Sequence, residues 1–132
     1  MNDQVIVYPQ SIRDLCGIDT VIFTYSREVA QKLRLLMDDD YQIIHHNLLI
    51  NDTDELEWVQ DALYHSHIFI VTESKIPFVE GYALCYATEQ NPELVIGINL
   101  DTRIANFLSA VTKNGVVMVS NIKEVADFIE AQ

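Results

Sequence analysis

From Thr20 onward, short runs of apolar and β-branched residues alternate with stretches in which apolar side chains recur at helical spacing. A chain built this way returns to the same end of the molecule after each helix, so its strands pair in parallel and its helices cover the sheet. The run from His67 to Val71, HIFIV, is apolar at nearly every position. A strand with one face in water alternates apolar and polar residues, so an unbroken apolar run marks a central strand with helices over both faces.

The order of elements follows. TVIFT (Thr20–Thr24) is the first clear strand, and Val29, Leu33 and Leu36 then share one face of a helix that the acidic triplet Asp38, Asp39 and Asp40 ends. A second strand covers residues 41–44. A polar turn at residues 51–54 supplies Asp52 or Thr53 as N-cap for a helix through Leu56, Val59 and Leu63. HIFIV is the third strand, followed by a loop at residues 72–77 and a helix to about residue 90. LVIGI (Leu94–Ile98), a helix around residues 104–111, Val116–Val119 and a helix from Ile122 close the pattern. The predicted fold is α/β, a flavodoxin-like or Rossmann-like three-layer sandwich with a five-stranded parallel sheet in the order 2-1-3-4-5, counted from Thr20. Residues 20–132 are read as one such domain, and 132 residues are enough to bury one core. Residues 1–19 form an N-terminal extension in which residues 5–8 are a candidate sixth, edge strand, with Pro9 as its stop.

Charge bears on partners. Twenty acidic residues against eight basic ones give a formal net charge of -12, and the basic residues stand singly, so they form no stripe for a phosphate backbone. Nucleic acid is therefore not an expected partner. The acidity allows either a solvated surface or carboxylates presented to a basic protein partner, and its concentration in turns and helix faces such as residues 38–40 and 52–57 favours the first. Without a spanning apolar run or the basic-then-apolar order of a secretory signal, the chain is expected in the cytoplasm with no membrane partner. Cys16 and Cys85 fit no C-x-x-C pattern and read as buried, reduced thiols.

In an open parallel sheet, ligands collect beyond the carboxyl ends of the strands, where strand order reverses. The candidates there are Tyr25, Ser26 and Arg27 after the first strand, Glu73, Ser74, Lys75 and Glu80 after the third, and Asn99, Asp101 and Arg103 after the fourth. Gly17, Gly81, Gly97 and Gly115 are too dispersed for a glycine-rich phosphate loop. A phosphoacceptor receiver needs an acidic pair after the first strand and an aspartate ending the third, where this chain has Thr24 and Thr72. His45, His46, His65 and His67 raise a metal site, but His65 and His67 flank a strand entrance without a carboxylate cluster, and neither metal nor cofactor is predicted. The most distinctive stretch is EGYALCYA, residues 80–87. Gly81 lets a helix approach the sheet closely, and the helix amino end stabilises an ionised Glu80. Glu80 is then a nucleophile or acid/base group, or simply a helix-starting acid ahead of the packing residues Tyr82, Leu84 and Cys85.

HIFIV, then FVEGYAL, then LVIGI, together with Asn106-Phe107-Leu108 ahead of VVMVSNIKEVADFI, resemble the nucleoside 2-deoxyribosyltransferase family over residues 58–129. The family pattern reads E-x-G-Y-A after an Asp-led strand. Here Glu80 directly precedes Gly81-Tyr82-Ala83, one position and about 100° of helix away, and His67 leads the strand. The resemblance implies that Glu80 is a carboxylate nucleophile attacking the anomeric carbon of a nucleoside or nucleotide-like small molecule, with a glycosyl-enzyme intermediate. It also implies a homo-oligomer in which Asn106 reaches a neighbouring pocket; the family's amino-terminal Tyr position falls on Phe23, and Tyr25, Glu73, Tyr82 and Asn106 are the expected substrate contacts. Two other classes share the fold: a non-catalytic module binding a nucleotide-like ligand or a protein, and a TIR-like glycohydrolase. The second lacks the expected serine or tryptophan cluster before the helix.

Overall fold

A computed structural model of the chain describes residues 5–12, 20–72, 94–111 and 115–132. The strands are β1 (Ile6–Val7), β2 (Thr20–Thr24), β3 (Tyr41–His45), β4 (Ile68–Thr72), β5 (Leu94–Ile98) and β6 (Val116–Val119). The described helices are α1 (Arg27–Leu36), α2 (Thr53–His65), α3 (Thr102–Val111) and α4 (Ile122–Glu130). All strand pairs are parallel, in the order β1-β3-β2-β4-β5-β6. From β2 onward this is the expected 2-1-3-4-5 order. The candidate edge strand joins the same sheet, with Ile6 opposite Ile44 and Val7 opposite His45. The helix expected up to about residue 90 and both cysteines lie outside the described residues.

The pleat sends alternate residues of each central strand into different cores. Val21, Phe23, Phe69, Val71 and Val95 face a cluster completed by Val59, Ala62 and Leu63 of α2 and Leu108 of α3. Ile22, Ile43, Ile68, Ile70 and Ile96 face the opposite cluster, completed by Val29, Ala30 and Leu33 of α1 and Val125, Ala126 and Ile129 of α4. Sheet and helices thus form three layers, and the apolar HIFIV run reflects that two-sided burial. Each fully buried aliphatic side chain, such as Leu33, contributes about 1.5–3 kcal/mol by leaving water. Phe23 and Phe69 meet tilted, with ring centroids 5.8 Å apart. Among the described residues no helix is long and apolar enough to cross a membrane.

Local chemistry sets the helix ends. Ser26 caps α1 by accepting the Val29 N–H at 3.3 Å. At the other end the buried Arg34 guanidinium donates to the C-cap carbonyl of Met37 (3.2 Å) and, beyond the helix, to the carbonyls of Asp38 and Tyr41 (2.6 Å), tying the end of α1 to the start of β3. Asp52, one of the two expected caps, accepts the Glu55 N–H at 2.8 Å to start α2, and Ser66 ends that helix by donating to the Ala62 carbonyl at 2.6 Å. Asn121 starts α4 by accepting the Glu124 N–H at 2.9 Å.

β5 approaches its neighbours closely at Gly97. A Cβ there would overlap Leu100, with Cγ at 3.0 Å, and would lie 3.2 Å from Met118 Sδ on β6. Gly97→Ala is therefore expected to destabilise the fold by about 1–3 kcal/mol, and Gly97→Val by more, because Leu100 must leave its place. Urea unfolding read by circular dichroism checks this; an unchanged midpoint in the Val variant would show that Leu100 yields freely.

Candidate functional site

Strand order reverses between β2 and β4, which pair from Ile22↔Ile68 to Thr24↔Ile70. The residues just past these strands occupy the position where α/β sheets hold ligands. Thr24 is fully buried, and its Oγ1 accepts the Ser26 N–H at 3.2 Å, fixing the turn from β2 into α1. Tyr25 turns the other way, into the core shared with α2 and α3, and is only 2% exposed. Its hydroxyl donates to the Thr72 carbonyl and accepts the Thr72 N–H at 3.1 Å. One phenol thereby ties the end of β4 to the end of β2.

On the opposite face, an open groove of about 850 Å³ runs between α1 and α4 at the carboxyl ends of the strands. Thr72 and Ile98 stand at its sheet side, with Ser26 and Asn121 bringing the amino ends of α1 and α4 to it. Lys32 and Lys123 line its rim. Lys32 is held 2.7 Å from Glu28, whose carboxyl this bond keeps below the ordinary carboxylate range. Lys123 has no carboxylate within 4 Å among the described residues. Two helix amino ends, hydroxyl and amide side chains and an ammonium with no carboxylate partner among the described residues suit an anionic or polyhydroxylated small molecule, and the volume matches that of small-molecule sites.

The residues expected at the site are dispersed. Glu73, Glu80 and Tyr82 lie outside the described residues, as do Ser74 and Lys75. Tyr25 reaches the switch point but is engaged by Thr72. Asn106 is exposed on α3, a helix packed on the other face of the sheet from the groove, so only a second copy of the chain could bring it there. Asn99 follows β5 at φ 52°, a left-handed conformation that asparagine tolerates, and its N–H donates to the Val119 carbonyl at 2.8 Å. Asp101 accepts the Arg103 N–H at 2.7 Å at the start of α3.

Sequence reasoning missed a pair formed by the buried His46 just beyond β3 and the partly buried Glu55 of α2. His46 is 5% exposed. Its Nδ1 accepts the Leu48 N–H at 2.8 Å, so the ring proton is on Nε2, which donates to Glu55 at 2.6 Å. Glu55 Oε1 also accepts the Asn51 N–H at 3.0 Å, and this backbone bond, with the His46 contact second, holds the Glu55 carboxyl below its ordinary range. Both imidazole nitrogens are occupied, so the pair braces a loop in which Leu48, at φ 64°, is buried in a conformation leucine rarely adopts. The available signal was Asp52 followed three residues later by Glu55, a capping-box spacing. The other histidines also have structural surroundings. His67 Nδ1 accepts the Val21 N–H at 3.0 Å, and His65 Nδ1 lies 3.3 Å from Asp61. Burial pushes the His45 imidazole below its ordinary pKa. Among the described residues no group of three or more His, Cys, Asp or Glu side chains could hold a metal.

Comparison of the chain with protein families, curated proteins and solved structures finds no match.

Two outcomes follow from these contacts. Tyr25→Phe keeps the ring but leaves the Thr72 N–H without the phenol oxygen, and should cost about 1–3 kcal/mol in chemical unfolding; no loss would mean that the hydroxyl is dispensable. Because the Glu55 carboxyl is lowered in the fold, its stabilisation is present above the unfolded carboxylate pKa, about 4.3, and is lost as pH falls through the lower folded value. Glu55→Gln should therefore flatten the decline of stability below about pH 5, seen as a smaller drop in melting temperature than in the parent chain.

Proposed function

We propose that this chain is a nucleoside 2-deoxyribosyltransferase-like protein that transfers or hydrolyses the N-glycosidic bond of a deoxynucleoside or nucleotide held in the α1/α4 groove. The observation that carries this reading is the position of Thr72. It lines the groove at the switch-point end of β4, and the segment bearing Glu73, Glu80 and Tyr82 follows it directly in sequence. Strand ends at a switch point are where such a fold places its chemistry.

In the proposed reaction the Glu80 carboxylate attacks the anomeric carbon as the bond to the base breaks, and the bonding pair leaves with the base. A second base or water then attacks the glycosyl ester and frees the carboxylate. Glu73 and Tyr82 serve as sugar and base contacts. Tyr25 acts from behind, by fixing the backbone of Thr72. Asn106 enters from a second subunit of a homo-oligomer. Lys123 and the amino ends of α1 and α4 favour a substrate carrying a phosphate over a neutral nucleoside.

A second reading, ligand binding without chemistry, draws support from Tyr25. Its hydroxyl is committed to the Thr72 backbone and its ring to the core, so among the described residues it offers a substrate no polar contact. Purified protein incubated with deoxynucleosides and their 5′-monophosphates in the presence of a different free base separates the two. The transferase reading expects base exchange or release, lost by roughly a thousandfold or more in Glu80→Gln with thermal unfolding unchanged. Saturable binding without any base release, equal in parent and variant, would establish the binding module instead.

A further inference from the structure

Beyond the α1/α4 groove, the edge of the sheet carries a second concavity. α1 covers β2 and β3, but β1 extends the sheet one strand past β3, and its face on the α1 side floors a groove of about 820 Å³ between β1 and α1. Strand alternation assigns the faces: Ile6 packs into the α2/α3 core, while Val5 and Val7 line the groove, Val7 being 41% exposed.

The helical wall is cationic. Arg27 and Arg34 both line it, seven residues and so two turns apart, about 10 Å along the helix. Arg34 is buried and spends its donors on the carbonyls of Tyr41, Met37 and Asp38. Neither arginine has a carboxylate within 4 Å among the described residues. His45 completes the wall from the end of β3. Burial and the nearby Arg27 charge both disfavour its protonated form, so at neutral pH the positive potential comes from the arginines. Gln10 and Gln31 add amide groups at the rim.

We infer that the β1/α1 groove is a binding site for an organic phosphate, an aromatic or aliphatic body seated on Val5 and Val7 with its phosphate paired to Arg27. The planar guanidinium forms paired hydrogen bonds with phosphate oxygens, Arg34 adds positive charge from below, and the valine floor removes apolar surface from water. The volume accommodates a small molecule, and the site is independent of the one proposed for glycosyl chemistry, from which α1 separates it.

The test is a site-resolved NMR titration of the full chain with phenyl phosphate, with phenol and inorganic phosphate as matched controls. Saturable shifts of the Val7, Arg27 and Gln31 amides and of the His45 ring are expected, weaker with inorganic phosphate and absent with phenol. Arg27→Ala, at an exposed position, should weaken the affinity read from those signals about tenfold, whereas Arg103→Ala, on the other face of the sheet, should leave it unchanged. No saturable shifts at these amides, or equal weakening by the two arginine variants, would overturn the site and show only general attraction to basic side chains.

Discussion

Burial of β2 and β4 on both faces is the constraint from which the other features descend. Ile68 and Ile70 enter one core while Phe69 and Val71 enter the other, and β2 divides Ile22 from Val21 and Phe23 in the same way. Such strands are stable only with helices above and below, and parallel pairing lets each helix connect strands while covering the sheet. Parallel pairing in turn brings every strand's carboxyl end to one edge. Ser26, Thr72, Asn99 and Asn121 meet at that edge because the core demands it, whatever chemistry the edge performs.

The same architecture creates polar groups that must be satisfied inside. A helix that stops against the sheet leaves carbonyls or N–H groups near apolar side chains, where an unmade hydrogen bond is costly. Arg34 answers this at the end of α1 and Ser66 at the end of α2, while Thr24 holds the N–H of Ser26 where β2 meets α1. His46 and Glu55 do so across a loop, and their combined bonds keep Leu48 in its left-handed conformation. Much of the chain's polar chemistry therefore maintains the fold, and a histidine or arginine here is not evidence of reactivity until its partners are counted.

The strands and described helices were legible because their signals are local: apolar runs, helical spacing, and the cap at Asp52. The register of β4 was less so. HIFIV reads as a strand from His67, whereas the paired strand spans Ile68–Thr72, with His67 at its entrance bonded through its backbone to Val21 and Leu94 and through its ring to the Val21 N–H. The sequence-level reading placed Tyr25 at the correct strand end but could not give its direction, since the hydroxyl contact with Thr72 spans 47 residues. Glu55 illustrates a second limit. Its spacing from Asp52 announces a helix start, but its bond to His46 depends on where the loop after β3 turns.

Tyr25 also has a consequence for any ligand. It is committed to the α2/α3 core and to Thr72, and the described approach to the strand ends lies on the α1/α4 side. A molecule arriving there meets helix amino ends and Lys123 within a chain whose overall charge is -12. Charges farther than about 8 Å are largely screened at physiological ionic strength, so the acidic surplus elsewhere acts weakly on a bound anion while the adjacent N–H dipoles and ammonium act strongly. Net acidity and a local preference for anions are therefore compatible. The sign of the whole chain governs its solvation and its nonspecific encounters, and the sign of each groove governs what stays bound in it.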